Sequence, residues 1–226
     1  MFRNIIVCLG VFLIVVLGTA AFFLFGGNTP GGKNVKLHID YAKLEAISGA
    51  HPNREKILLK IKENEQMLYD DDSYNDVGAY LSIGFNSRQL GDDEAAINAY
   101  KEALKIDEDH ILGLNNIATS YKDIGEYKKA EESFRALVVA NPGDVAVYRN
   151  LADVYRFQYP DDDEGVLAII ESGIEVVLQP QDLVSYLATY YRDRGNTSEA
   201  IKYFETLLRI SPQNKGAQAE LDRLRK

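Results

Sequence analysis

The chain has a single cysteine, Cys8, so no disulfide can form within it. Everything after that residue is free of thiols, which fits an oxidising or a reducing compartment. Histidine is equally scarce. His38, His51 and His110 lie far apart, and none has a second ligand at metal spacing, so solvated surface positions are expected. Positive charge is short as well. With 25 Lys and Arg against 34 Asp and Glu the net charge is −9, which argues against non-specific nucleic-acid binding. There is no nucleophile–base constellation, no metal motif and no cofactor fingerprint. The glycine-rich stretch 26–32 is not a phosphate loop, because no strand precedes it and Lys33 has no Ser or Thr after it in the required pattern. The acidic run Asp161, Asp162, Asp163, Glu164 fails as a calcium loop, since the twelfth residue from Asp161 is Ser172 and not a bidentate Glu. Asp162 or Asp163 is expected to cap a helix instead, with Glu164 in its first turn and weak cation binding or a partner contact as the alternative. No enzyme, no cofactor and no metal site are expected.

One long apolar run is present. From Ile5 to Phe25 there are 21 residues without a charge. As a helix that run is ~31 Å long, about the thickness of the hydrocarbon core. The expectation is a single transmembrane anchor over 1–25, contacting the lipid bilayer. A cleaved signal peptide is the alternative, supported by Arg3 and by the small residues Gly18, Thr19 and Ala20. Against cleavage, the apolar Phe22, Phe23, Leu24 and Phe25 would become the new N-terminus. The charge count across the run does not fix orientation. Arg3 beside it fits an uncleaved signal anchor, with the remainder extracytoplasmic; cleavage would leave a secreted or periplasmic chain. Residues 26–36 read as a flexible linker.

Past the linker the chain repeats itself. Ile83, Ile117 and Leu151 recur every 34 residues, and Leu187 follows 36 later. A small column accompanies them at Gly84, Ala118, Ala152 and Ala188, and a second at Ala96, Ala130, Val166 and Ala200. A bulky column reads Tyr100, Phe134, Ile170 and Phe204. Within one copy, Leu114, Ile117, Ala118 and Tyr121 share a helical face, Gly125 interrupts, and Ala130, Phe134 and Leu137 resume it until Pro142. Each copy is therefore expected to be two antiparallel helices, with the small residues at the close approach. One hairpin cannot bury its apolar face alone, so copies must stack.

These residues resemble the tetratricopeptide repeat (TPR) family, whose 34-residue signature runs large residue, Leu-Gly, Tyr, Ala, Phe, Ala, Pro. The second copy supplies Leu114, Ile117, Ala118, Tyr121, Gly125, Ala130, Phe134, Leu137 and Pro142. The fourth supplies Val184, Leu187, Ala188, Tyr191, Gly195, Ala200, Phe204, Leu207 and Pro212. The first copy departs at Ser87 and Glu108. The third departs most: Tyr159 replaces the turn glycine, two residues are inserted near 160–162, and Ile170 replaces the aromatic. A longer, looser turn is expected there. The resemblance implies an all-α, right-handed superhelical solenoid of repeats 77–110, 111–144, 145–180 and 181–214. A helical N-terminal cap over 37–76 precedes them, with helices expected over His38–Ser48 and Asn53–Leu68, and a capping helix over 215–226 follows.

The family binds protein or peptide ligands on a concave groove lined by the first helix of each hairpin. Here the inner residues would be Asn115, Asn116, Thr119 and Lys122, then Arg149, Asn150, Asp153 and Arg156, then Ser185, Tyr186, Thr189 and Arg192. Amide and guanidinium groups suit a peptide backbone and carboxylates. The family's carboxylate clamp is excluded, because Leu81 and Phe85 stand where it needs Lys and Asn, and only Asn116 agrees. The expected function is a non-catalytic, membrane-anchored scaffold. The alternative is a structural subunit of a membrane or envelope complex, assembled by repeat self-association, which leaves a homo-oligomer open.

Overall fold

The computed structural model describes residues 37–69 and 76–226. The expected anchor and the linker 26–36 lie outside the described residues. No helix among the described residues is long and apolar enough to cross a membrane.

The described residues form eleven helices and no strand. They divide into two units, one ending at Ala140 and one spanning Asn141–Lys226. The first unit contains α1 (Tyr41–Ser48), α2 (Arg54–Met67), α3 (Asp76–Gln89), α4 (Asp93–Ile106), α5 (Ile111–Asp123) and α6 (Tyr127–Ala140). The second contains α7 (Val145–Gln158), α8 (Asp163–Val176), α9 (Gln181–Asp193), α10 (Thr197–Ile210) and α11 (Lys215–Leu224). Each unit is a stack of antiparallel helical hairpins. Hairpins α3/α4, α5/α6, α7/α8 and α9/α10 are each packed face to face. Within a unit, the second helix of one hairpin also meets the first helix of the next.

The repeating columns become the core. Ile83, Ile117, Leu187, Ala118, Ala130, Ala188 and Ala200 are completely buried, as are Tyr100 and Phe134. The hairpins turn at Gly91, Gly125 and Gly195, with φ of 90°, 79° and 74°. That left-handed backbone is cheap only for glycine, which is why the sequence punctuates there. Asp92, Asp144, Asp162, Asn196 and Asn214 each cap the following helix by accepting a backbone N–H.

Two expectations about single residues are revised. His110 is not merely solvated: its Nδ1 accepts from the Gly113 amide at 3.2 Å and caps α5. The helix expected from His38 begins only at Tyr41, because Asp40 accepts from the Lys43 amide and caps it there. Ile39 is buried nonetheless. Both cap helices are present, and α2 packs on α3. Lys43 ties the cap to the first repeat through Asp92 at 2.9 Å and Glu94 at 3.1 Å.

The turn of the third copy is longer, as expected, but it is not loose. The extra residues are shared between α7, one residue longer than α5 or α9, and a four-residue connection, 159–162. Tyr155 donates its hydroxyl to Asp162 at 2.5 Å, and its ring lies 4.7 Å from that of Tyr159. Arg194 donates to the Pro160 carbonyl from the neighbouring hairpin. The glycine is dispensable because side chains close the turn.

Candidate functional site

In the first unit the inner side of α5 presents Asn115, Asn116, Thr119 and Lys122, all half-buried. They recur at three- and four-residue intervals, so one helical face carries them. Thr119 spends its hydroxyl on the Asn115 carbonyl at 2.8 Å. The side chains of Asn115, Asn116 and Lys122 make no hydrogen bond or ion pair to another described residue. On α3 the corresponding positions hold Leu81, Phe85 and Arg88. Arg88 lies 34 residues before Lys122 and belongs to the same cation column, which continues to Arg156 and Arg192. Sequence reading missed it, although the repeat interval points straight to it. Its charge is already claimed: it pairs with Asp123 of the next hairpin and, at 3.7 Å, with Asp93.

In the second unit much of the inner face holds neighbouring helices together. Tyr186 on α9 donates to Asp153 on α7 at 2.8 Å, and Arg156 lies 3.7 Å from the same carboxylate. Burial pushes the Tyr186 phenol up, and the Asp153 charge adds to it. Arg192 reaches Asp193 at 2.7 Å and Glu220 on α11 at 3.5 Å. Thr189 donates to the Ser185 and Tyr186 carbonyls. Arg149, which is exposed, and Asn150, half-buried, have side chains with no hydrogen bond or ion pair to a described residue. The expected set therefore separates by chemistry. Asn115, Asn116, Lys122, Arg149 and Asn150 keep their donors and acceptors available. Thr119, Asp153, Arg156, Thr189 and Arg192 are engaged within the chain, and Ser185 lends its backbone carbonyl. Of the available residues, Asn115, Asn116 and Lys122 lie on the first unit and Arg149 and Asn150 on the second, and each group is a candidate by itself.

Two members of the acidic run, Asp162 and Asp163, are likewise engaged. Asp162 caps α8 through the Gly165 amide at 2.9 Å, as expected. Asp163 accepts from Tyr190 at 2.5 Å and pairs with Arg194 at 2.8 Å. No cluster of potential metal ligands occurs among the described residues.

Comparison with known proteins agrees with this architecture. A model described as "TPR repeat" matches residues 87–125, and models described as "Tetratricopeptide repeat" match 115–164 and 187–214. The chain carries tetratricopeptide repeats. It is 32% identical over 80 residues to Photosystem I assembly protein Ycf3 of Synechococcus sp. (strain CC9605), covering 34% of this chain and 46% of that protein. It is 28% identical over 83 residues to the uncharacterized protein ycf37 of Pyropia yezoensis, covering 37% and 47%. The chain thus spans about half the length of the curated relatives it matches. Among solved structures, MamA protein aligns at TM-score 0.52 and 25% identity, over 66% of this chain and 81% of that one. The C-terminal part of a TPR repeat-containing protein from Cytophaga hutchinsonii aligns at TM-score 0.59 and 22% identity, over 81% and 74%.

Proposed function

We propose that this tetratricopeptide-repeat chain is a non-catalytic scaffold. It holds a protein or peptide segment on the inner faces of its hairpins and is tethered to a membrane by residues 5–25, with the repeats extracytoplasmic. The observation that carries the reading is the set of uncommitted polar side chains, Asn115, Asn116, Lys122, Arg149 and Asn150, on helices whose other faces are closed into the core. These half-buried amides and the exposed guanidinium meet water in the free chain, and a peptide main chain or carboxylate can replace that water. A relative named as an assembly protein supports a scaffold role.

The test is selection from a displayed peptide library on the full-length chain. Selected peptides should lose binding to Asn115→Ala with Asn116→Ala, or to Arg149→Ala with Asn150→Ala, without a change in melting temperature. Salt dependence should weaken where Arg149 is removed. Binders indifferent to all four substitutions would move the site off the inner faces. The tether is tested separately. The full-length chain should stay with membranes through carbonate extraction, and a soluble mature protein beginning near Ala21 would replace the anchor by a cleaved signal.

A second reading, a subunit assembled through its repeats, draws on a different feature. The last residue of α2, α4, α8 and α10 is an exposed apolar side chain in each case, Met67, Ile106, Val176 and Ile210. Sedimentation of the full-length chain over a concentration series decides whether copies associate.

A further inference from the structure

The inner face of the first unit is not uniformly polar. Leu81 on α3 is buried, with a methyl group 3.5 Å from the place a Cβ would occupy on Gly113 of α5. The two helices are thus in close contact at that level. One turn further along α3 lies Phe85, and beside Gly113 lies Leu112. They are 54% and 52% exposed, against 7% for Leu81. Two large apolar side chains more than half in water, on adjoining helices of one unit, represent apolar area that a ligand would bury favourably.

Further along α5 the face carries an unpaired cation. Asp123 is occupied by Arg88, which leaves Lys122 as a half-buried cation without a carboxylate partner. This happens in a chain whose net charge is −9. Asn115 and Asn116 stand between Leu112 and Lys122 with free amides, and each offers both a donor and an acceptor, as a main chain requires.

We infer that the first unit's inner face selects an extended peptide segment rich in both aliphatic or aromatic residues and carboxylates. The apolar side chains settle on Phe85 and Leu112, the main chain meets Asn115 and Asn116, and a carboxylate meets Lys122. This rests on the groove reading above and names the chemistry of its ligand. A basic segment is disfavoured at Lys122 because it would set like charge against it.

The probes are three fluorescent nonapeptides, built from serine, leucine and glutamate; from serine, leucine and lysine; and from serine and glutamate. Each is titrated against the full-length chain. The leucine–glutamate peptide is expected to bind about tenfold or more tightly than either other. Phe85→Ser with Leu112→Ser should abolish its advantage over the serine–glutamate peptide. Lys122→Glu should reverse the order of the glutamate and lysine peptides. Lys128→Ala, which removes an exposed cation of α6 that lies outside the inner face, should leave all three affinities unchanged. Equal or tighter binding of the leucine–lysine peptide overturns the inference. So does leucine–glutamate binding that ignores Phe85, Leu112 and Lys122. If the library yields inner-face binders of another composition while these peptides fail, the inference falls and the groove reading stands. If the library yields none, both fall.

Discussion

At the scale of single residues, the repeat is tuned pair by pair. Where the second copy sets Ala118 in the small column and Phe134 in the bulky one, the first sets Gly84 and Tyr100. The Tyr100 ring lies so close that a Cβ on Gly84 would meet it at 2.4 Å. The helix has given up a methyl group to seat a ring there. Gly84→Ala should therefore destabilise the chain by about 1–3 kcal/mol through overpacking, although alanine ordinarily favours a helix. Thermal melts check this, and an unchanged or raised midpoint would mean that Tyr100 moves aside freely. Ser87 shows the same logic: it occupies the tyrosine position of the signature and is completely buried.

At the scale of elements, the α7–α8 connection shows how a repeat survives losing its turn glycine. Asp162 caps α8 and accepts the Tyr155 hydroxyl, while Gly165 has no side chain because the Tyr155 ring fills that place, 2.3 Å from where a Cβ would stand. The Tyr155 and Gly165 hydrogen bonds hold the Asp162 carboxyl below its ordinary value. A depressed carboxyl stabilises the fold above its unfolded pKa and loses that contribution as pH falls through the folded value. Asp162→Ala should lower stability at neutral pH by removing the cap. The gap to the parent chain should shrink below pH of about 4. Urea melts at both pH values read it, and a constant gap would leave only the uncharged part of the cap. Tyrosine provides the opposite sign at the other end of the scale. Burial pushes Tyr100 up to about 12, and burial with the Asp163 hydrogen bond does the same to Tyr190. Such phenols stabilise the fold below pH of about 10 and lose that stabilisation as pH rises towards 12. Absorbance at the phenolate band should thus rise in two stages for the native chain and in one, near pH of about 10, in guanidinium. A single native stage there would refute the burial.

At the scale of the whole molecule, a stack of repeats must end somewhere. Helix α11 begins 34 residues after α9 and takes the place of another first helix. Its inward residues Ala217 and Leu221 are buried. The positions that in α9 face the second helix of its own hairpin, filled by Val184, Ala188 and Tyr191, hold Gln218, Asp222 and Arg225 in α11, all exposed. Gln218 bonds Asp222 at 2.8 Å, and Arg225 pairs with Glu205. That side of α11 is polar and can meet water. Gln218→Leu with Asp222→Ala and Arg225→Tyr should raise the sedimenting mass of the full-length chain over its parent. An unchanged mass would show that polarity at this helix does not limit stacking.

The hairpins were legible in the sequence because a 34-residue interval repeats the same packing problem, and each solution leaves the same residue types in register. Gly125, Ala130 and Phe134 could be placed before any coordinate, since steric demands at a turn or a helix crossing are local and strict. The inner residues could be placed on a face but not sorted. Whether Arg88 is free or paired depends on Asp123, 35 residues away, and whether Asp153 is available depends on Tyr186, 33 residues away. Phe85 could be placed at a groove position, but that it and Leu112 stay in water is decided only by how the helices pack. By itself the sequence determined the repeat, its columns and its stops, because those follow from backbone geometry and side-chain volume along one chain. The tertiary structure alone decided which charges are spent and which apolar side chains stay uncovered, because both depend on partners that meet only when separate helices pack.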